Sequence, residues 1–248
     1  MPTIPVTCGT GTLGRQVTDR LHADGHDVRV LSRRSQPYAV DLRDGRGLDV
    51  AVEGVDTIAH CASTPRGGDD TAAGHLIEAA KRAGVPHLVH NSIVGVDRLP
   101  LGYYRIKHRV ERMIEESGTG WTILRTTQFH DLVLRIVAGA ARLPVMPLPA
   151  GVRMQPVDSG EVTDRLAELA ALAPAGRVPD MGGPEIRALP ELARACLGAT
   201  GRKRPLMPVR LAGKAYAGYR RGDHLSPERA VGKATFEEFL AERFSRPE

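Results

Sequence analysis

Val6-Thr7-Cys8-Gly9-Thr10-Gly11-Thr12-Leu13-Gly14 is the stretch whose reading decides the fold of this chain. A short apolar opening, Ile4-Pro5-Val6, leads into it, and Leu13, Val17 and Leu21 recur at four-residue intervals from within it. This is the pattern of a strand, a glycine turn and the first face of a helix. Gly9, Gly11 and Gly14 fit the spacing G-x-G-x-x-G. Such glycines let the backbone come close to a pyrophosphate, while free N–H groups at the helix start attract its charge. Set between a strand and a helix, the spacing points to a dinucleotide site rather than an ordinary surface turn.

The next strand is Val28-Arg29-Val30-Leu31, after Gly25. A site specific for NAD carries an acidic residue at the end of that strand, to bond the ribose 2′-hydroxyl. Here the strand ends in Ser32-Arg33-Arg34, and Asp27 lies at its other end. Guanidinium groups suit a 2′-phosphate, because each presents a planar fork of donors. The cofactor expected is therefore NADP(H).

Residues 39–42 look like a short third strand, 43–51 a brief helix, and 56–61 a fourth strand running into Ala62-Ser63-Thr64. Ligands of a doubly wound sheet sit at the carboxyl ends of its strands, so Asp41 and residues 61–64 should line the cleft. His60, just short of a strand end, reads as a core residue. A helix over 71–83, a strand over 87–91 ending at Ser92, a helix carrying Tyr103, Tyr104 and Lys107, and a strand over 121–125 continue the alternation. The expectation is an α/β fold, a Rossmann-like doubly wound parallel sheet. Helices are expected over 129–141, 158–172, 192–197, 211–221 and 235–244, with irregular Pro-rich or turn-rich chain at 142–156 and 174–190. Residues 1–130 are read as the dinucleotide-binding core. Residues 131–248 are read as a smaller, mainly helical substrate-side region that partly returns to that core.

Composition narrows the function. The 248 residues are 42% apolar and carry a net charge of +5. Basic residues fall in small clusters, Arg33-Arg34, Arg202-Lys203-Arg204 and Arg220-Arg221, and aromatic residues are few, so nucleic acid is not an expected partner. Cys8, Cys61 and Cys196 lack metal-ligand spacing, and no metal is expected. Their odd number, without a secretory signal, fits reduced thiols in a cytoplasm. The most apolar later stretch, 132–152, is interrupted by Arg135, Arg142, Pro144, Pro147 and Pro149, which argues against a membrane span.

Tyr103 and Lys107 are four residues apart on a predicted helix and share a face. With Ser92 they form a set able to reduce a carbonyl. A phenol gives a proton to the oxygen as hydride arrives from a nicotinamide, and a serine hydroxyl bonds that oxygen. The nearby ammonium is expected to lower the phenol pKa from about 10. Tyr104, three residues before Lys107, is a rival phenol.

These segments together resemble the short-chain dehydrogenase/reductase superfamily, in its atypical NmrA-like NAD(P)-binding branch. The resemblance rests on residues 6–14, Val30-Leu31-Ser32-Arg33-Arg34, Asp41-Leu42, Gly54-Val55-Asp56, Ala83-Gly84-Val85, Ser92-Ile93-Val94-Gly95-Val96, Tyr103-Tyr104-Arg105-Ile106-Lys107 and Thr122-Ile123-Leu124-Arg125. It implies that Thr7, Gly9, Thr10, Gly11, Thr12, Leu13 and Gly14 hold the cofactor, with Ser32, Arg33 and Arg34 toward the adenosine phosphate and Asp41 and Leu42 beside the adenine. Cys61, Ala62, Ser63, Thr64, Asn91, Lys107, Thr126 and Thr127 complete the implied cofactor set. Ser92, Tyr103 and Lys107 take the superfamily's catalytic positions, and Ile93, Tyr104, Gln128 and Phe129 are implied toward the substrate. One departure stands out: the branch usually has glycine where this chain has Cys8, in a turn where a Cβ is costly. The implied function is an NADPH-dependent oxidoreductase of a small apolar carbonyl or quinone. The alternative is an NADP(H)-sensing regulator without turnover. A nucleotide-sugar epimerase fits less comfortably, given the short gap between Ser92 and Tyr103.

Overall fold

The computed structural model describes residues 1–63 and 67–244. Strand β1 (Thr3–Thr7) is buried from Ile4 onward. It pairs in parallel with β2 (Asp27–Leu31) along its whole length, and with β3 (Thr57–His60) only from Val6. Pro5 has no N–H to give, and the ladder toward β3 begins just after it. Between β1 and β2, α1 (Thr12–Ala23) buries Gly14, Val17, Thr18 and Leu21, a stripe at helical spacing.

The third strand expected over 39–42 does not form. Ser32 and Ala39 make one isolated bridge, and Asp41 and Arg46 another. Val40 is the buried apolar residue there, and Gly45 and Gly47, with φ of +78° and +77°, turn the chain back at once. A segment with so little to bury has no reason to extend the sheet. The helix expected over 43–51 shortens to α2 (Leu48–Val52).

After β3 come α3 (Asp69–Arg82), β4 (His87–Ile93), α4 (Gly102–Glu115) and β5 (Gly120–Thr126), close to their expected bounds. Next are α5 (His130–Ala140), β6 (Met146–Pro149), β7 (Arg153–Met154), α6 (Ser159–Ala171) and β8 (Gly176–Arg177). The chain ends in β9 (Arg187–Ala188), α7 (Leu189–Ala199), β10 (Leu206–Val209), α8 (Lys214–Arg221) and α9 (Phe236–Phe244).

Two compact units result. The first holds residues 1–92, 102–125 and 162–179. Its sheet runs β2-β1-β3-β4-β5-β8, parallel in every register resolved. Apolar side chains of α2 and α3 pack on Leu31 and Ile58, while those of α3 and α4 pack on Leu88 and Ile123. On α1, Arg20 reaches Asp164 of α6 at 2.6 Å, and Gln16 accepts a hydrogen bond from Thr163. Strand order reverses at β1, so the crevice of such a sheet opens at the carboxyl ends of β1 and β3.

The second unit holds residues 93–101, 126–161 and 180–248. Its core joins Val133 and Val137 of α5 to Leu192 and Cys196 of α7 and Phe236 and Leu240 of α9. The chain over 142–156, expected to be irregular, contains β6, which pairs in parallel with β10, and β7, which pairs antiparallel with β9. Prolines 147, 149, 205 and 208 conceal the first pair in the sequence. Its bonds use other donors, such as Met146 N–H to Pro205 O and Ala150 N–H to Val209 O. Among the described residues, no helix is long and apolar enough to cross a membrane.

On α4 the inner face includes Lys107 and Glu111. Glu111 meets Arg125 of β5 in a two-pronged pair at 2.8 and 2.6 Å, with side chains 2% and 6% exposed. Removing one partner of a buried pair leaves an uncompensated charge. Glu111→Ala is expected to lower unfolding free energy by about 3–5 kcal/mol, read from urea denaturation.

Candidate functional site

Thr7 ends β1 with its side chain fully buried. Its Oγ1 accepts the N–H groups of Cys61 and Ala62, each at 3.1 Å, and lies 3.0 Å from His60 Nδ1. The hydroxyl is thus spent on joining the ends of β1 and β3. The chain then turns through Cys8, whose φ of +51° is left-handed. Cys8 O accepts the N–H of Gly11 at 2.8 Å, and Leu31 O accepts that of Gly9 at 3.3 Å. A Cβ on Gly14 would lie 2.2 Å from Cys8 O, and one on Gly9 would lie 2.9 Å from Val30 Cγ1. Only glycine lets α1 start this close to the loop. The helix has no side-chain cap and no carboxylate in its first turn. Thr10, Gly11 and Thr12 are exposed there, so the loop has the bare backbone and open helix start that a pyrophosphate requires.

Arg33 and Arg34 are exposed just beyond β2. Burial raises the Cys8 thiol above its ordinary value and Asp69 adds to the rise, while Lys107 and Arg33 oppose it. Ser32 bonds Ser35 at 2.7 Å and accepts the Arg34 N–H. Asp41 accepts the N–H of Arg43, and Leu42 O bonds His75. The side chain of Asp41 thus fastens its own turn.

Past β3, Cys61, Ala62 and Ser63 meet α4. Thr64 lies outside the described residues. Tyr103 Oη hydrogen-bonds Ser63 Oγ. Lys107 Nζ donates to Ala62 O at 3.4 Å and sits 3.6 Å from Asp69 Oδ2, with Lys107 3% and Asp69 4% exposed. Tyr104 is buried and meets the edge of the Tyr103 ring. Ser92 is fully buried at the end of β4, two residues past the His60–His90 register pair, and Asn91 beside it is half-buried.

The electrostatics differ from expectation. Tyr103 is raised above the ordinary phenol value, not lowered. Burial is the main cause and the Asp69 carboxylate adds to it, against the Ser63 hydrogen bond. Lys107 is lowered by burial and supported by Asp69, so its charge is already matched. Asp69 is the residue that sequence reasoning missed. It lies two positions before the helix expected over 71–83, and the helix that forms starts at it. Burial also pushes the Cys61 thiol up to about 12.

Thr126, Thr127, Gln128, Phe129 and Ile93 belong to the second unit. Thr127 Oγ1 donates to Gln155 O and accepts from Gly183 N–H. Gln128 Nε2 donates to His224 O. Gln155 in turn bonds Gly183 and Ser226. The polar groups of Thr127 and Gln128 therefore serve this buried network. Thr126 O accepts the Val94 N–H, while Ile93 and Phe129 are half-exposed apolar residues. In the first unit, an open depression of about 460 Å³ lined by Asp56, Thr57 and His87 lies at the amino ends of the strands, away from the glycine loop.

A family model described as NAD(P)H-binding matches residues 9–132. The chain belongs to the NAD(P)H-binding family. An uncharacterized protein of Mycobacterium tuberculosis is 30% identical to this family member over 220 residues, 83% of this chain and 24% of the relative. The chain thus spans about a quarter of the length of the first relatives it matches. A quinone oxidoreductase from Escherichia coli, solved with NADPH, has the same fold. Its TM-score is 0.84 at 19% identity, covering 97% of this chain and 99% of that one. A UDP-glucose 4-epimerase of Thermus thermophilus, solved with NAD, gives 0.72 at 21% identity, covering 98% and 99%.

Two tests follow from the geometry of this NAD(P)H-binding unit. His60 and His90 stack with centroids 5.0 Å apart, and burial pushes His60 down to about 3 and His90 well below its ordinary value. Between the unfolded histidine pKa of 6.5 and the folded value near 3, the unfolded chain binds more protons. Stability should therefore fall as pH is lowered through that window, by roughly 1.4 kcal/mol per unit for each histidine. Urea midpoints measured from neutral to about pH 4 should show the slope, and His60→Gln should flatten it. At the loop, Cys8→Gly should keep stability within about 1 kcal/mol and bind a reduced nicotinamide dinucleotide at least as well as the parent. Cys8→Val, a branched residue at positive φ, should lose both. A Cys8→Val protein as stable as the parent would rule out the backbone constraint.

Proposed function

We propose that the protein is an NADPH-dependent reductase of a small apolar carbonyl or quinone, acting by hydride transfer. The observation that carries this reading is the meeting of Tyr103 and Lys107 with Ser63 and Ala62 at the end of β3. Thr7 ties that same strand end to the glycine loop. A cofactor-binding loop, a half-buried phenol and a buried ammonium are therefore linked through one short segment.

The residues present fit the cofactor. The bare loop from Gly9 to Gly14 would hold its pyrophosphate, and Ser32, Arg33 and Arg34 its adenosine phosphate. Among the described residues neither arginine has an ion pair with a carboxylate, so each is available to a phosphate. Asp41 and Leu42 would border the adenine, and residues 61–63 with Asn91 the middle of the cofactor. A reduced nicotinamide, when bound, supplies the hydride. Tyr103 Oη, kept protonated by burial, gives a proton to the substrate oxygen. Lys107 holds positive charge beside that phenol, and Ser92 is the second hydroxyl for the same oxygen. The quinone oxidoreductase named above supports the substrate class, and its NADPH supports the choice of cofactor.

A panel of quinones and carbonyls with NADPH, followed by loss of absorbance at the nicotinamide band, tests the proposal. Tyr103→Phe should lower kcat about 10²–10⁴-fold, and Tyr104→Phe should change it only slightly. Tight NADPH binding with no turnover on any compound would overturn the reductase reading in favour of a cofactor sensor. A loss of activity on Tyr104→Phe instead would transfer the proton donor to Tyr104. The double change Arg33→Ala, Arg34→Ala should weaken NADPH at least about tenfold and leave NADH nearly unchanged.

A further inference from the structure

Helix α3 begins at Asp69, directly after Gly68, whose φ of +90° turns the chain into the helix. Two carboxylates follow one another there and meet different fates. Asp70 pairs at 2.8 Å with Arg109, which is exposed. Asp69 is buried and lies 3.6 Å from Lys107 Nζ. An acidic residue in the first turn of a helix normally complements the helix dipole from solvent. Burying one instead incurs a desolvation cost that the helix start alone does not justify. The ammonium of Lys107 answers it, because a buried charge is held only when paired and hydrogen-bonded.

Three elements converge on this pair. The segment after β3 brings Ala62 O to Lys107 and Ser63 to Tyr103, α4 brings Tyr103 and Lys107, and α3 brings Asp69. Four titratable groups around them carry no charge at neutral pH, and Arg33, which faces Cys8, carries one. His60 of β3 and His90 of β4 are held neutral by burial, and the Cys8 and Cys61 thiols are held protonated. Asp69 and Lys107 are thus the opposed charges of the cluster.

We propose that Asp69 is a positioning residue of this site, which pins the Lys107 ammonium against the end of β3 and offsets its field at Tyr103, so that Tyr103 works as a neutral proton donor. This deepens the reading of Tyr103 and Lys107 given above and rests on it. In a phenol–ammonium pair without a carboxylate, the ammonium would favour the phenolate. Here the carboxylate opposes that effect, and the phenol is raised by Asp69 as well as by burial. Asp69 also favours the charged form of Lys107 against desolvation.

The sign of the test follows. Without Asp69, both Tyr103 and Lys107 lose their protons at lower pH. Tyrosinate absorbance, titrated in the parent and in Asp69→Asn, each with and without Tyr103→Phe, isolates Tyr103 from the other four tyrosines. The expected result is a Tyr103 transition moved to lower pH in Asp69→Asn and returned toward the parent in Asp69→Glu. The double variant Asp69→Asn, Lys107→Met leaves no unpaired charge and tests the same point if the single change does not fold. With both opposed charges gone it should leave the Tyr103 transition near the parent's, whereas Lys107→Met alone, which keeps the carboxylate, should raise it. An unmoved transition in folded Asp69→Asn, or a double variant whose transition lies no lower than that of Lys107→Met alone, overturns the proposal.

Steady-state kinetics supply the second readout. In Asp69→Asn the ratio kcat/KM for reduction should fall about tenfold between pH 7 and pH 9, while the parent stays nearly flat. An equal loss at every pH would mean a merely structural role and would overturn the proposal. The absorbance titration needs no turnover. An inactive parent would therefore defeat the reductase reading, whereas the Asp69 result is read independently of it.

Discussion

One buried hydroxyl holds the first unit's working end together. Thr7 Oγ1 takes two N–H groups from the chain just past β3, and so fixes where the glycine loop stands relative to Cys61, Ala62 and Ser63. Those residues in turn receive Tyr103 and Lys107. Geometry passes from a strand end, through one oxygen, to a phenol and an ammonium on a helix far along the sequence. A parallel sheet makes this economical, because its loops of chemical interest all emerge on one edge. Threonine at that point contributes by accepting bonds, a role for which its methyl group and short reach suit it.

Much of this was legible in the sequence. The glycine spacing and the alternation of apolar strands with helices led to the sheet, since both follow from local sterics and burial. What was hidden came from contacts between distant residues. Residues 39–42 looked like a strand on propensity, yet only Val40 is buried there, with Leu42 partly so. The β6–β10 pair was obscured by prolines, because the eye counts missing donors before it knows which donors are needed. Asp69 gave no signal at all. Its meaning depends on Lys107, and nothing in the local letters says that the two meet. The pKa of Tyr103 was read with the wrong sign because the spacing to Lys107 was visible, while the burial of the phenol, and the carboxylate that adds to it, were not.

The second unit is organised by amides rather than by a sheet. Gln128 and Gln155, with Thr127, satisfy backbone groups of the segments around Gly183, His224 and Ser226. Buried side chains that meet several backbone partners fix loops as firmly as a strand ladder does, but they leave no periodic trace in a sequence. This accounts for the contrast in readability between the two halves of the chain.

Cys8 shows what the loop truly selects. At that point the requirement is a torsion angle, +51° in φ, and the side chain is incidental to it. A scale of chemical likeness ranks alanine or serine as the nearest neighbour of cysteine. A scale of conformational likeness ranks asparagine and glycine first, since both enter the left-handed region readily. Divergence at this position should therefore follow the second scale. A fingerprint that demands glycine at this one position would reject the loop, whereas one written in backbone angles would keep it.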